Sequence, residues 1–321
     1  MKYAGAYTAL LPVCINGDIF SSAGQRTRGS SGGSSIRICS FRRIPFVVFA
    51  ITLVALIAST AACSSIPVEG DTLLQPKRSV TPQTFDRLGF EGYELTEYFF
   101  PADDGTILNG WHVSRPGNDT TVLLFGGNGF YLVQSVLHLE LFAELGVDMF
   151  LWDYRGYGLS EGEATVETLR RDALTVTDFV TDDLEVDGNL VVHGHSLGSF
   201  MAALTATERA LDAVVLESPA TNADHWLESA VPRVVRMILS FEIAEELADE
   251  DNVPRVRSIR APTLLAVGEE EFVTPPAMAE RLYEESAAGW KRYYVEPGGD
   301  HNSLPSDSGF RSAYRELLEA L

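Results

Sequence analysis

After Cys63 the chain contains no cysteine, which excludes a disulfide, a thiolate nucleophile and a cysteine-based metal site from residues 64–321. Basic residues are also scarce: 24 Lys and Arg stand against 45 Asp and Glu among 321 residues, a formal net charge of −21 at pH 7. Nucleic-acid-binding domains usually carry a basic patch. The charge balance therefore argues against a nucleic-acid partner.

Internal repeats and a long membrane-spanning run are missing as well. No period of about 20–50 residues recurs, so solenoids and propellers are disfavoured. The apolar run 46–58 falls short of the roughly 20 residues that a relaxed membrane-spanning helix needs. It fits the hydrophobic region of a secretory signal better, because Arg42 and Arg43 precede it and small residues follow it.

The leader ends at Cys63. Residues 60–64, Thr-Ala-Ala-Cys-Ser, resemble a bacterial lipobox, with Thr60 where Leu is usual. The resemblance implies that Cys63 is lipidated and that the protein is an exported lipoprotein, anchored to the membrane of a bacterial cell envelope. If 44–62 is counted whole, a single N-terminal transmembrane anchor is the alternative. We predict a leader and signal peptide over 1–62, a tether over 63–82 and one folded domain over 83–321.

The body alternates β-like runs with segments of helical period. The predicted strands are 94–100, 107–113, 121–125, 149–153, 190–192, 213–216, 263–267 and 292–295. The clearest helical spacing links Val166, Leu169, Ala173, Val176 and Val180. Such alternation predicts an α/β fold with a mainly parallel sheet covered by helices on both faces. The first two runs form an antiparallel hairpin, and the irregular stretch 221–260 is interpreted as a small helical lid.

Three segments match the pattern Gly-x-Ser-x-Gly of a nucleophile elbow. Residues 29–33 lie in the low-complexity leader, and four residues separate the segment 158–162, which contains Ser160, from the strand before it. Only Ser196 directly follows a strand and precedes a helix, as an elbow requires. We therefore predict Ser196 as the nucleophile.

A serine nucleophile needs a base and an acid, in the chain order Ser, acid, His for this type of elbow. His301, in a Gly-rich loop after the last strand, is preferred to His225, which falls in the lid. The acid is predicted to be Glu271, one of three adjacent glutamates, because Phe272 and Val273 could pack inward and fix it. Glu217 is held in reserve, its alternative role being a buried structural hydrogen bond.

Two backbone N–H groups are needed to stabilise an oxyanion, one directly after the nucleophile and one from an earlier strand loop. Leu197 and the loop 126–129 fill these positions. That loop lacks the spacing of a nucleotide site, so no cofactor is expected. His193 and His195 lie two residues apart with no further ligand cluster nearby in the sequence, and we predict no metal.

With these residues in place, the chain resembles the α/β-hydrolase superfamily over about 88–321. Residues 194–198 carry the broad signature. Residues 153–162, Asp-Tyr-Arg-Gly-Tyr-Gly-Leu-Ser-Glu-Gly, are similar to a loop of the branch that includes protein depalmitoylases, lysophospholipid lipases and Bem-type proteins. The loop 126–129 is similar to the family's His-Gly-Asn-x oxyanion loop, a match that assigns the second oxyanion N–H to Asn128.

The resemblance implies an eight-stranded α/β-hydrolase fold and a cofactor-independent serine hydrolase that cleaves carboxylic esters or thioesters through an acyl-enzyme. Its substrate would be a small molecule or a lipid-like acyl compound, and no protein partner is inferred. Glu271 departs from the family's commoner Asp. A serine aminopeptidase-like amide hydrolase and a non-catalytic binding protein of the cell envelope are the alternatives.

Overall fold

The computed structural model describes residues 65–70, 74–76, 92–130, 132, 135–184, 186, 188–231, 233–236 and 239–321. The contacts divide the chain between Ile51 and Thr52, and every described residue belongs to the second unit. The predicted signal run 46–58 and Cys63 lie outside the described residues. Within the described part of the chain, no helix combines the length and the apolar character needed to cross a bilayer.

An eight-stranded sheet forms the centre of the fold. Its strands are β2 (Glu94–Pro101), β3 (Ile107–Ser114), β4 (Thr120–Phe125), β5 (Asp148–Trp152), β6 (Asn189–His195), β7 (Ala213–Glu217), β9 (Thr263–Gly268) and β10 (Lys291–Glu296). Their order across the sheet is β10-β9-β7-β6-β4-β5-β3-β2. Pairing is parallel from β5 through β4 to β10, and β2 and β3 form an antiparallel hairpin. All eight predicted strands and the hairpin are thus confirmed.

Helices cover both faces of this sheet. They are α1 (Val136–Leu145), α2 (Val166–Asp178), α3 (Gly198–Glu208), α4 (Ala223–Ala230), α5 (Arg233–Arg236), α6 (Glu245–Ala248), α7 (Asn252–Ser258), α8 (Pro276–Glu285) and α9 (Ser308–Leu318). Along β4, Leu123 packs with α2 and α3 on one face, whereas Val122 packs with α1 and α9 on the other. Alternate residues enter opposite cores, so every residue of β4 is buried.

The predicted lid contains α4, α5, a short strand β8 (Ser240–Ile243) and α6. Its last part has a different role, because Val253 and Val256 of α7 are buried in the core beside α3. Three apolar residues at helical spacing, Val253, Val256 and Ile259, explain why this segment packs inward.

A segment that we call the strap, residues 65–70 and 74–76, runs against the lid. Its strand β1 (Ser65–Val68) pairs in parallel with β8. The Gly70 N–H then donates to the Glu246 carboxylate of α6 at 2.8 Å, and Leu74 is buried in the core. The described part of the predicted tether is therefore docked on the folded body.

Candidate active site

The elbow at Ser196 joins β6 to α3 through a tight turn. Ser196 has φ +53°, a left-handed conformation that a non-glycine residue adopts at a cost. A Cβ on Gly194 would come within 2.4 Å of the Gly198 carbonyl oxygen, and one on Gly198 within 2.0 Å of the Phe125 carbonyl oxygen. Both glycines are thus required for the close approach of the backbone, which lifts Ser196 to the carboxyl edge of the sheet.

Three predicted residues meet at this edge. His301 Nε2 lies 3.0 Å from Ser196 Oγ, and His301 Nδ1 lies 2.5 Å from Glu271 Oε2. The side chain of Glu271 is fully buried, whereas that of His301 is 20% exposed. The order acid, imidazole, hydroxyl is the one in which an imidazole removes the hydroxyl proton and the carboxylate stabilises the imidazolium.

Glu271 is held as an anion. Its burial opposes ionisation, but the hydrogen bond and charge of His301 and the N–H groups of Thr274 and Val273 outweigh burial and lower its pKa. Those two N–H groups donate to Glu271 Oε1 at 3.1 and 2.5 Å. The expectation that Phe272 and Val273 pack inward is wrong, since the two residues are 80% and 44% exposed. The backbone that follows Glu271, rather than an apolar contact, fixes the carboxylate.

The other candidates for the acid, the base and the nucleophile have different surroundings. Glu269 and Glu270 are exposed, and the Glu269 carboxylate accepts the Gly298 N–H. His225 lies in the lid, where its Nδ1 is 2.8 Å from the Thr221 hydroxyl. Ser160 is buried: its hydroxyl donates to the Asp153 carbonyl at 2.6 Å and accepts the Asn109 N–H at 2.8 Å. These hydrogen bonds give Ser160 a structural role in its loop.

The loop 126–129 runs beside the elbow. A Cβ on Gly127 would come within 3.4 Å of the Ser196 Cβ and 2.9 Å of His195 Nδ1, so the loop backbone lies against Ser196. Leu197 sits at the N-terminal end of α3, where the positive end of the helix dipole favours a developing negative charge. The predicted oxyanion residues, Leu197 and Asn128, are thus carried by two segments that flank Ser196.

The strap reaches this loop, a contact that the sequence analysis missed. The Gln75 N–H donates both to Asn128 Oδ1 and to the Tyr157 hydroxyl oxygen, each at 3.0 Å. The Tyr157 hydroxyl in turn donates to Asn128 Oδ1 at 3.3 Å. Gln75 and Tyr157 together fix the Asn128 side chain. The sequence around Gln75 carries no motif that could have signalled this contact.

The loop that carries His301 is held from two neighbouring strand ends. His195 Nε2 lies 3.0 Å from the His301 carbonyl oxygen, and the Ser218 hydroxyl donates to the same oxygen at 3.5 Å. Burial lowers the pKa of His195 to about 4, so its imidazole is neutral at pH 7 and donates this bond. Ser218 shares with Ser196 a positive φ, here +45°, and its carbonyl accepts the Thr274 hydroxyl.

Beneath the elbow lies a buried cluster of His138, His193 and Glu217. Both Nε2 atoms donate to Glu217 Oε2, at 2.9 Å for His138 and 2.8 Å for His193. Burial opposes ionisation of Glu217, yet the surrounding imidazoles hold its pKa well below the usual range. The three side chains offer ligand atoms within 4.8 Å of one another, but these hydrogen bonds already account for their arrangement. The carboxylate of Glu217, the reserve acid, makes its described hydrogen bonds to these two histidines.

A cavity of about 690 Å³ opens beside Ser196, His195 and His301. Its walls are mainly apolar and come from α1, α2, α3 and the lid, with Leu137, Leu169, Phe200, Met201, Trp226 and Leu247 among the lining residues. Among the described residues that line it, Glu250 is the one carboxylate. Its two oxygens are engaged by Arg170 and Arg255. The cavity thus suits an apolar group of considerable size.

Known sequences are similar to this chain. Residues 118–249 match a family model described as serine aminopeptidase, S33. An uncharacterized protein of Mycobacterium tuberculosis is 32% identical over 212 residues, which are 63% of this chain and 70% of the relative. An uncharacterized membrane protein of Saccharomyces cerevisiae is 27% identical over 222 residues, 68% of this chain and 77% of the relative.

The fold is also similar to that of the Pyrococcus furiosus esterase Pf2001. The two share 18% identity and a TM-score of 0.62, over 77% of this chain and 99% of the esterase. At this identity the likeness concerns the fold alone. Sequence and structure therefore point to the same architecture for the part of the chain that carries the elbow.

Proposed function

This chain belongs to the α/β-hydrolase superfamily, and from that premise we propose that it is a serine hydrolase that cleaves carboxylic esters or thioesters. The observation that carries the proposal is the hydrogen-bonded series Ser196, His301 and Glu271 at the mouth of an apolar cavity. In this role Ser196 is the nucleophile, His301 the general base and acid, and Glu271 the residue that orients His301.

The reaction follows from these positions. His301 Nε2 takes the Ser196 hydroxyl proton while Oγ forms a bond to the acyl carbon, and the Leu197 and Asn128 N–H groups stabilise the oxyanion. The bond to the leaving oxygen or sulfur then breaks, and that group takes the proton from His301. Water attacks the acyl-enzyme, giving its proton to His301, and releases the acid as Ser196 regains its proton.

One feature of the cavity favours esters and thioesters over peptides with a free N-terminus. An aminopeptidase requires a group that pairs with the substrate ammonium, and such a charge needs a partner when it leaves water. Glu250, the carboxylate that faces the cavity, is already paired with Arg170 and Arg255. Serine aminopeptidase-like activity is therefore the second candidate, suggested by the matched family model alone.

Fluorophosphonate labelling of the full-length protein, detected by intact mass, tests the proposal. Wild type and Ser160→Ala are expected to gain one adduct and Ser196→Ala none. Absence of labelling in folded wild-type protein would favour a non-catalytic binding protein. Loss of labelling only in Ser160→Ala would mean that Ser160, and not Ser196, is the nucleophile.

A series of acyl esters of increasing length, matched thioesters and aminoacyl amides then separates esterase from peptidase. Turnover of the amides alone would contradict the ester assignment.

We also propose that the leader exports the protein and that Cys63 carries a lipid anchor. The order of basic, apolar and small residues before Cys63 supports this. The mass of the native protein tests it. A lipidated N-terminus at Cys63, lost in Cys63→Ser, is expected, and a native protein that keeps Met1 would contradict it.

A further inference from the structure

Exposed apolar side chains gather where the cavity opens. Among the described residues, seven large hydrophobic side chains are exposed, namely Ile66, Phe99, Leu137, Leu159, Phe272, Val273 and Leu321. Leu137 and Val273, 41% and 44% exposed, also line the cavity, and Phe272 adjoins Val273. We call Leu137, Phe272 and Val273 the mouth surface. Apolar groups clustered at the opening of a cavity indicate a binding surface more strongly than single exposed residues do.

Phe272 projects from a loop that is firmly held. On one side of it, Glu271 is bonded to His301, and on the other the Thr274 hydroxyl donates to the Ser218 carbonyl at 2.9 Å. The Val273 N–H is bonded to Glu271 as well. With both of its neighbours fixed, the 80% exposed ring is presented to the outside by the structure of the loop. No described contact within the protein explains a large aromatic residue at this position.

We propose that the mouth surface inserts into a lipid bilayer, so that the ester substrate enters the cavity directly from the membrane. This inference rests on the proposed serine hydrolase function and specifies where its substrate resides. Apolar side chains that dip below the headgroups bind a bilayer in proportion to the apolar area they bury.

The path of the chain argues for a membrane as the partner. The strap begins at Ser65, and β1 lies on the lid strand β8. The strap then reaches the loop 126–129 at Gln75, which itself lines the cavity. Cys63, the proposed lipid anchor, lies two residues before Ser65, and the strap that follows is docked at the end of the sheet where the mouth surface lies. A lipid attached to Cys63 and held in a bilayer would bring this end of the molecule to the membrane.

Charge specifies the kind of bilayer. Glu269 and Glu270 are exposed two or three residues before Phe272, and the whole chain has a net charge of −21. Acidic groups beside the mouth surface are repelled by anionic headgroups. A zwitterionic surface, such as one of phosphatidylcholine, is the better match.

The test uses full-length protein in phosphatidylcholine proteoliposomes, with a long-chain ester dissolved in the bilayer and a short-chain ester soluble in water. Phe272→Asp is expected to lower turnover of the bilayer ester about tenfold or more, because a charged side chain cannot enter the apolar layer. Turnover of the soluble ester should stay within about twofold, since Phe272 does not line the cavity. For the wild-type protein, replacing part of the phosphatidylcholine by phosphatidylglycerol should also lower turnover of the bilayer ester.

Phe99→Asp is the matched control, because Phe99 is 57% exposed on β2, the strand at the edge of the sheet far from the cavity. It should leave both rates unchanged. Equal effects of the two variants, or an unchanged ratio of the two rates in Phe272→Asp, would overturn the proposal. A loss that accompanies a change in oligomeric mass would assign the mouth surface to a second copy of the chain and would overturn it as well.

A measurement without turnover separates this inference from the proposed function. Tryptophan introduced as Phe272→Trp should be quenched by brominated lipid in the bilayer, and tryptophan introduced as Phe99→Trp should not. Quenching in Phe272→Trp beyond that of the wild-type protein would support the insertion of the mouth surface even if neither ester is hydrolysed. The absence of hydrolysis would then refute the proposed serine hydrolase function and not this inference. Equal quenching of the two variants would overturn the inference whatever the activity.

Discussion

His195 Nε2 lies 3.0 Å from the main-chain carbonyl oxygen of His301, so the residue directly before Ser196 holds the loop of the proposed base. The centroids of the His195 and His301 imidazole rings are 5.1 Å apart. The segments that carry Ser196 and His301 are thus tied together by a hydrogen bond that involves neither the Ser196 hydroxyl nor the His301 ring. Small displacements of reacting groups cost large factors in rate, which gives this bond a measurable consequence.

Replacing His195 by Phe should lower kcat about tenfold with little change in KM, since the donor to the His301 carbonyl is lost while the cavity keeps its apolar walls. His195→Gln, which retains an N–H donor, should recover part of the loss. Steady-state kinetics on a soluble ester measure both constants. Because burial lowers the pKa of His195 to about 4, the loss should be the same from pH 6 to pH 8. A change confined to KM would refute the positioning role.

Glu271→Gln should reduce kcat by about 10²–10⁴, because an amide cannot stabilise the imidazolium that forms on His301. Glu271→Asp should lose less, as it keeps the charge and shortens the reach by one methylene. In wild type the pKa of Glu271 lies below its ordinary value, so its charge should persist as pH falls to about 5. Glu270→Gln, at an exposed neighbour, is the control and should retain full activity. Full activity in Glu271→Gln would exclude it as the acid.

The strap should contribute to turnover through one backbone group. Gln75→Pro removes the N–H that donates to Asn128 Oδ1 and to the Tyr157 hydroxyl, and it should lower kcat about tenfold by loosening the oxyanion loop. Gln75→Ala keeps that N–H and should behave like wild type. The measurement is kcat on a soluble ester, at a temperature well below the Tm of both variants. Equal activities of the two variants would leave the strap without a part in catalysis.

Glu217 should matter for stability above all. Removing its charge leaves His138 and His193 without their acceptor anion, and breaking a buried pair of this kind costs about 3–5 kcal/mol. Since the folded-state pKa of Glu217 lies below its ordinary value, its contribution is present above about pH 4.5 and is lost as pH falls further. Urea unfolding of wild type and Glu217→Gln should therefore differ most near pH 7 and converge in acid. A constant difference down to pH 3 would contradict this charge assignment.

Local patterns were sufficient to predict the sheet and the elbow. Residues 122–125 of β4 are apolar without interruption, and Gly194 and Gly198 flank Ser196 at the spacing that the turn requires. His301 could be chosen because chain order and strand ends limit the candidates. The structure brings it within 3.0 Å of Ser196 Oγ.

Contacts between distant, short segments could not be predicted. The strand β1 has four residues, including Pro67, and pairs with β8 about 175 residues later. His138 lies on α1, whose apolar residues surround the helix and leave no clear stripe, so its contact with Glu217 gave no signal. For Phe272, hydrophobicity alone predicted burial, although a membrane is a second environment in which an exposed aromatic ring is stable.

The strap makes the position of a proteolytic cut decisive. If Cys63 carries the proposed lipid anchor, cleavage before Ser65 would remove that anchor from a protein whose strand β1 still lies on β8 and whose Gln75 still holds Asn128. Cleavage just after Gln75 would release a body of nearly the same size without that support. On these proposals, a cut that removes only the anchor and a cut that also removes the support of Asn128 would lie about a dozen residues apart in one N-terminal segment.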